Sequence, residues 1–179
     1  MTHAEVVNSL MAKLKEYDED TYGHSIRVCQ KSLELAKKMG LSLDDMKILK
    51  EAALLHDIGK LQIPMSILAK PSRLTDEEFA IIKKHAEYGY ELAKKAGCSE
   101  AVCEAIRDHH ERYDGTGYAH RTNVSRIAKI LCVADSFDAM ISKRRYDAAR
   151  KKNIVIQEIQ NQAGKQFDPI VAQIAAIAL

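Results

Sequence analysis

Apolar residues recur with helical spacing along almost the whole chain, and this periodicity is the feature that most restricts its fold. In the stretch after residue 20, Ile26, Leu33 and Ala36 fall near one face of a helix, and Gly40 is a natural C-terminal stop. Residues 43–57 show a second stretch of the same kind. No segment alternates apolar and polar residues as a half-buried strand does. The sequence therefore predicts an all-α protein.

Local signals place several helix boundaries. Thr75 followed by Glu78 is a capping box, and Asp168 followed by Pro169 joins an N-cap to a proline at the first helical position. Residues 124–142 are long and apolar, which predicts a core helix.

Two polar, glycine-bearing segments interrupt the helical pattern. Residues 58–74 and 110–123 are predicted as loops, the first with room for one short turn. The rest of the pattern predicts seven or eight helices. Residues 1–179 are therefore expected to form a single helical bundle domain.

Composition restricts location and partners. Lys and Arg number 27 against 25 for Asp and Glu, and the resulting net charge of +2 argues against a long nucleic acid but allows a small anionic ligand. No apolar run reaches the roughly 18 residues of a membrane span, and the charged N-terminus does not resemble a signal peptide, so a cytoplasmic location without membrane contact is expected. The four cysteines are interpreted as small, buried, reduced side chains rather than disulfide partners or zinc ligands: Cys29, Cys98, Cys103 and Cys132.

The histidines carry the functional signal. Five of the seven lie at predicted helix ends or beside glycine: His24, His56, His85, His109 and His110. Imidazole and carboxylate ligands together suit Fe, Mn or Zn better than Ca or Mg alone. Two such cations about 3.5–4 Å apart can activate a shared hydroxide and clamp a phosphate oxygen. The pattern therefore predicts a metal-dependent phosphohydrolase.

Each histidine also has a plainer interpretation as a packed or surface side chain, which is the one adopted for His3 and His120. His56 and Asp57 differ, because the apolar run AALL delivers them from the predicted core, where both groups are costly to bury without a partner. Asp135 follows ILCVA in an apolar helix, and the same argument applies.

The segments HDIGK, HHERYDGTGY and VADSFDAM follow one another in an order that resembles the HD-GYP subfamily of HD-domain phosphohydrolases. The resemblance covers residues 21–169 of the chain. It implies an all-helical HD-type domain that hydrolyses a phosphodiester, characteristically the bacterial messenger cyclic di-GMP. It also implies two or three divalent metal ions, with Fe or Mn favoured over Zn, Ni or Mg.

By position, the resemblance assigns seven metal ligands: His24, His56, Asp57, His85, His109, His110 and Asp135. Asp57 would bridge two metals, and Lys60 would face the scissile phosphate; these two are the predicted catalytic residues. Tyr118 and Arg144 match residues that contact the substrate together with Lys60.

Two acidic residues near the predicted ligands receive lesser roles. Asp20 lies four residues before His24 and is interpreted as an acidic helix cap rather than as a ligand of a third metal. Glu111 is expected to orient a neighbouring histidine or to hold the second loop through Arg112.

The predicted substrate contacts depart from the subfamily. Ala119 replaces the proline of GYP, the loop after it is shorter than expected, and Arg145 and Asp147 replace the usual neighbours of Arg144. Two alternatives to cyclic di-GMP hydrolysis therefore stay open: hydrolysis of another nucleotide, and a non-catalytic module that binds a nucleotide or another signalling protein. A homodimer or a separate regulatory protein would supply regulation.

Overall fold

The computed structural model describes residues 2–142 and 151–179. They form ten α-helices and one 3-10 helix: α1 (His3–Tyr17), α2 (Glu19–Lys38), α3 (Leu43–Leu55), the 3-10 helix (Ile58–Gln62), α4 (Met65–Leu68), α5 (Asp76–Lys83), α6 (His85–Lys95), α7 (Glu100–Asp108), α8 (Arg126–Ile141), α9 (Lys152–Asn161) and α10 (Pro169–Ala178). Within these two ranges there is no β-strand, which confirms the all-α prediction.

The predicted caps form as expected. Thr75 accepts a hydrogen bond from the Glu78 amide while the Glu78 side chain accepts one from the Thr75 amide, so the capping box is complete. The Asp168 side chain caps α10, with Pro169 at its first position. Helix α8 begins two residues later than the predicted core helix, because the hydroxyl of Ser125 caps it.

The structure contains more helix than the sequence pattern suggested. Helix α9 was not among the predicted helices, although Val155 and Ile159 are spaced four residues apart and are fully buried. The first predicted loop contains both the 3-10 helix and α4. Gly59 is accommodated inside the 3-10 helix, and Pro64 takes the N-cap position of α4, so neither residue prevents helix formation here. The second loop stays free of helix.

Helix α8 lies at the centre of the bundle. It packs against α2, α3, α7, α9 and α10, and it buries ten of its residues, including Leu131 and Phe137. The hydrophobic cluster around it extends from Val7 in α1 to Leu179. All four cysteines are free thiols, with Cys98 only partly buried. None of the helices in the described ranges is long and apolar enough to cross a membrane.

Gly59 brings the 3-10 helix into direct contact with the backbone of α6. A Cβ atom at this position would overlap the His85 carbonyl oxygen and would lie 2.5 Å from the Gly89 nitrogen. The absence of a side chain therefore allows the segment after His56 to approach the first turn of α6.

Candidate metal centre

The seven predicted ligands converge in one cluster, although they come from five helices or helix ends. His24 lies in α2, His56 and Asp57 follow α3, His85 begins α6, His109 and His110 follow α7, and Asp135 lies in α8. All of them are buried except His110, whose side chain is 26% exposed. The structure thus brings together every residue of the predicted ligand set.

Three histidines are oriented by carbonyl groups at the C-terminal end of the helix that precedes each of them. His56, His85 and His109 each donate Nδ1–H to the carbonyl oxygen three residues earlier, at 2.6–2.8 Å. The last carbonyls of a helix have no partner within the helix, so these side chains satisfy them. Because Nδ1 carries the proton, Nε2 is left as a lone-pair donor facing the cluster.

Two of these lone pairs face each other. The Nε2 atoms of His85 and His109 lie 3.4 Å apart, and neither carries a proton when its ring is neutral. Two nitrogens bound at about 2.0–2.1 Å to one tetrahedral cation would be separated by about this distance. The contact therefore fits a shared cation and is unfavourable without one.

Asp57 lies between two groups of imidazoles. Its Oδ2 atom is 3.4 Å from His56 Nε2 and 3.8 Å from His24 Nε2. Its Oδ1 atom is 3.4 Å from His85 Nε2, on the other side of the carboxylate. The two oxygens can therefore each serve a different cation.

Two ligand groups flank Asp57, and in each the donor atoms lie within 4.8 Å of one another: His24, His56 and Asp135, and His85, His109 and His110. Asp135 links them further, since Oδ1 is 2.9 Å from His24 Nε2 and Oδ2 is 3.9 Å from His110 Nδ1. The arrangement can hold two cations with one carboxylate shared between them.

The electrostatics of the cluster fit such cations. Burial raises the pKa of Asp57, but Lys60 and His56 outweigh this and hold that pKa well below its ordinary value. Burial lowers the pKa of His109 and brings the pKa of His110 to about 3. At neutral pH, Asp57 is therefore an ionised carboxylate and His109 and His110 are neutral imidazoles, which are the forms that bind metal. The pKa of His56 is instead raised, because Asp57 and Asp135 outweigh burial. Among the described residues, the buried His56 Nε2 has no hydrogen-bond partner.

Asp138 holds the imidazole of His24 on the side away from the cluster. The sequence analysis does not identify it as a functional residue. His24 donates Nδ1–H to Asp138 Oδ2 at 2.7 Å, and Arg27 donates two hydrogen bonds to the same carboxylate at 2.9 and 3.0 Å. Burial raises the pKa of Asp138, but the bonds from His24 and Arg27 outweigh this and bring it to about 2. The available signal was spacing, because Asp138 follows Asp135 by three residues on the same face of α8.

Glu111 holds the second loop, but by a different route from the one expected. Its carboxylate accepts hydrogen bonds from the backbone amides of Ala119 and Arg121 at 2.7 and 2.9 Å. Arg112 also holds this loop, but through Asp114 and Thr116 and without Glu111 as its partner. A buried carboxylate is best satisfied by nearby backbone donors, and the loop supplies them.

A groove of about 680 Å³ opens beside the cluster. Its wall combines His24, Arg27 and Lys60 with the apolar side chains of Ile67, Leu68, Leu74 and Ile82. Lys60 Nζ lies 2.7 Å from Asp57 Oδ2. Asp20, in the first turn of α2, lies at the same groove. Asp18 and Glu19 also line it, so the groove presents cationic, acidic and apolar side chains to a ligand.

Of the predicted substrate contacts Tyr118 and Arg144, the structure describes only Tyr118. The ring of Tyr118 packs against that of His110 with centroids 4.6 Å apart. Arg144, with its neighbours Arg145 and Asp147, lies outside the described residues.

The two histidines set aside in the sequence lie outside the cluster. His3 pairs with Glu51, and His120 Nδ1 lies 3.2 Å from the carbonyl oxygen of Gly115.

The fold and the cluster define a helical protein with a buried histidine–carboxylate centre assembled from several helices. A family model described as HD domain matches residues 8–171, and the chain belongs to this family. The match confirms the family predicted from the sequence.

Relatives of known activity resemble nearly all of this chain. A cyclic di-GMP phosphodiesterase of Thermotoga maritima is 38% identical over 173 residues, which cover 93% of this chain and 47% of the relative. A 3'3'-cGAMP-specific phosphodiesterase 2 of Vibrio cholerae is 34% identical over 178 residues, covering 97% of this chain and 34% of the relative. The chain thus spans half or less of the length of these curated relatives.

A solved structure shows the same fold. The HD domain of the phosphodiesterase PgpH of L. monocytogenes, in complex with cyclic-di-AMP, superimposes with a TM-score of 0.72 at 20% identity. The match covers 95% of this chain and 92% of that domain.

Proposed function

We propose that this chain is a metal-dependent phosphodiesterase that hydrolyses a cyclic dinucleotide, with cyclic di-GMP as the first choice. The observation that carries the proposal is Asp57, whose two oxygens face imidazoles on opposite sides. One cation would be held by His24, His56 and Asp135 and the other by His85, His109 and His110, with Asp57 shared. The names of the relatives support the substrate class, since they are phosphodiesterases of cyclic di-GMP and of 3'3'-cGAMP.

Each protein group has a defined role in this reaction. When bound, the cations supply an activated water and neutralise charge on the phosphate. Asp57 and the imidazoles hold the reacting centre in place. Lys60 has three donors and no acceptor, so its ammonium acts on a phosphate oxygen as charge develops there.

The groove and its surroundings suit a nucleotide. The cationic side chains of Lys60 and Arg27 lie on the same wall as apolar residues of the segment around α4. On the side of His110, the ring of Tyr118 lies beside Phe79, whose side chain is 43% exposed, with centroids 6.5 Å apart. Exposed aromatic rings are platforms on which bases stack. Phosphate and base thus each find a matching surface near the centre.

The remaining parts of the proposal follow from the same site. The cations are two or three in number, and Fe or Mn is favoured by the mixed imidazole and carboxylate donors. Residues 1–179 act as a single domain in the cytoplasm, where a nucleotide messenger would be found. A homodimer or a separate regulatory protein would control turnover.

The test combines metal analysis with an activity screen. Protein loaded with Fe or Mn is incubated with cyclic di-GMP, 3'3'-cGAMP, cyclic di-AMP and a generic phosphodiester, and products are separated by chromatography. We expect cleavage of at least one cyclic dinucleotide and its loss in His109→Ala, while the exposed variant Asp44→Asn serves as the control.

Two outcomes would overturn the proposal. Cleavage of the generic ester alone would indicate a hydrolase of another nucleotide. A full complement of metal with no turnover of any substrate would indicate a binding module.

A further inference from the structure

A second group of metal-binding side chains lies outside the centre described above. His3 is the first residue of α1, Glu51 lies in α3, and Cys98 lies between α6 and α7. Their donor atoms are all within 4.8 Å of one another. His3 Nε2 lies 2.8 Å from Glu51 Oε1, and Cys98 Sγ lies within 4.8 Å of the donor atoms of both. Three separate elements thus direct an imidazole, a carboxylate and a thiol at one point.

A cation bound in this group would replace the proton of the Cys98 thiol. Burial and the neighbouring carboxylate of Glu51 raise the pKa of the Cys98 thiol to about 12. The thiol is therefore protonated at neutral pH in the absence of a cation. A divalent cation bound at this point would displace the thiol proton to solvent and would lie between the Cys98 thiolate and the Glu51 carboxylate.

We propose that His3, Glu51 and Cys98 form a three-ligand zinc site, with water as the fourth ligand, that fastens the N-terminal helix to the bundle. Nitrogen, oxygen and sulfur donors are the ligands that Zn²⁺ accepts together, whereas a thiolate disfavours Mg²⁺ and Ca²⁺. Ligand atoms around a tetrahedral zinc lie roughly 3.3–3.8 Å apart, given bonds of about 2.0–2.3 Å. The present separations reach that range through small movements, because the His3 side chain is 48% exposed.

The location gives the site a structural purpose. Helix α1 contributes only three buried residues to the core, Val7, Met11 and Leu14. Its first turn is held by the capping box between Thr2 and Glu5 and by the contact of His3 with Glu51. A cation at this point would join the beginning of α1 to α3 and to the α6–α7 connection. For Cys98, this role replaces the interpretation of the cysteines as inert buried side chains.

Cobalt substitution tests the site independently of catalysis. A thiolate bound to Co²⁺ produces a charge-transfer absorption in the near ultraviolet, and none of the ligands proposed for the catalytic centre is a cysteine. The 179-residue chain, with any affinity tag at the C-terminus removed, is stripped of metal and titrated with Co²⁺ and then with Zn²⁺. We expect the absorption in the wild type and in Asp57→Ala, and its loss when Zn²⁺ displaces Co²⁺.

Matched variants connect the signal to the three side chains. Cys98→Ser should abolish the absorption and lower the zinc content by one ion per chain. Cys29→Ser, which alters a buried thiol outside the proposed site, should retain both. His3→Ala changes an exposed side chain and should weaken cobalt binding at least about tenfold without unfolding the protein. No charge-transfer absorption in saturated wild type, or its persistence in Cys98→Ser, would overturn the proposal. Because Asp57→Ala is included, failure here is distinguishable from failure of the proposed catalytic function.

Discussion

Individual side chains in the centre each serve two partners. His56, His85 and His109 satisfy a helix carbonyl with one ring nitrogen and present the other to the cluster. Asp57 likewise faces imidazoles with both oxygens while its Oδ2 also meets Lys60. Removing one atom therefore disturbs both a local structure and a candidate ligand, so informative substitutions are those that change a single partner.

Lys60 is such a residue, since a protonated lysine cannot bind a cation. We expect Lys60→Ala to keep the metal content and to lower turnover by roughly 10²–10³-fold, as when one stabilising donor is removed from a transition state. Lys60→Arg should restore part of the activity, because a planar guanidinium cannot occupy the place of a compact ammonium. Metal stoichiometry and turnover are measured on the same preparations, with Lys47→Ala, whose side chain is 77% exposed, as the control. Loss of metal, or turnover at the wild-type level, would contradict this role.

Asp138 is expected to act through His24. Asp138→Asn keeps the size of the side chain but removes the charge that fixes the imidazole and receives Arg27. We expect metal affinity to fall by about 10–100-fold, which is typical for a partner of a metal-ligating histidine. Competition with a chelator measures the affinity, and Asp44→Asn provides an exposed carboxylate for comparison. Equal affinities in the two variants would show that His24 needs no partner.

At the level of elements, the close approach of the 3-10 helix to α6 holds the two halves of the centre together. The Cβ of Gly59→Ala would collide with backbone atoms of His85 and Gly89, which cannot move independently of α6. We expect the free energy of unfolding to fall by about 1–3 kcal/mol, as for overpacking in a core. Gly23→Ala is the control, because its Cβ would meet only Arg27 at 3.4 Å and alanine favours a helix. Urea denaturation measures both; equal midpoints would contradict the packing argument.

At the level of the whole molecule, ligands from five helices or helix ends mean that bound metal cross-links the bundle. Metal that binds only the folded state at 100 times its Kd adds about 2.7 kcal/mol of stability. We therefore expect chelation to lower the melting temperature and Asp57→Ala to abolish most of that difference. Both proteins carry Cys98→Ser, so that the second site does not contribute. An unchanged melting curve after chelation, in protein shown to start loaded, would contradict the centre.

The pH dependence of the metal-free protein has a definite sign. Burial holds the pKa values of His85, His109 and His110 below the ordinary histidine value. These groups stay neutral in the folded state but take up protons in the unfolded chain below about pH 6.5, so folding stability falls as the pH is lowered through that region. His56 opposes the trend, because Asp57 and Asp135 outweigh burial and raise its pKa. Because three histidines have lowered pKa values and only His56 has a raised one, we expect the urea midpoint of the chelated protein to fall between neutral pH and roughly pH 5. A midpoint that rises instead would show that the histidines are not buried as neutral rings.

The sequence by itself determined those features that depend on neighbours along the chain. Helical spacing, the capping box at Thr75 and the Asp168–Pro169 start all involve residues within a few positions of one another, so a local pattern was sufficient. The ligand set could be predicted from the family motifs, because these are short segments that follow one another in a fixed order. The spacing of Val155 and Ile159 is a local signal of the same kind, and it marks α9.

Only the tertiary structure decided which groups meet across the chain. His24 and Asp138 are 114 residues apart, and His3 and Glu51 are 48 apart, so no local spacing predicts that their side chains touch. The direction of each Asp57 oxygen likewise depends on how α2, α3 and α6 pack. The physical reason is that a side-chain contact requires ångström precision, whereas periodicity specifies only which face of a helix is buried.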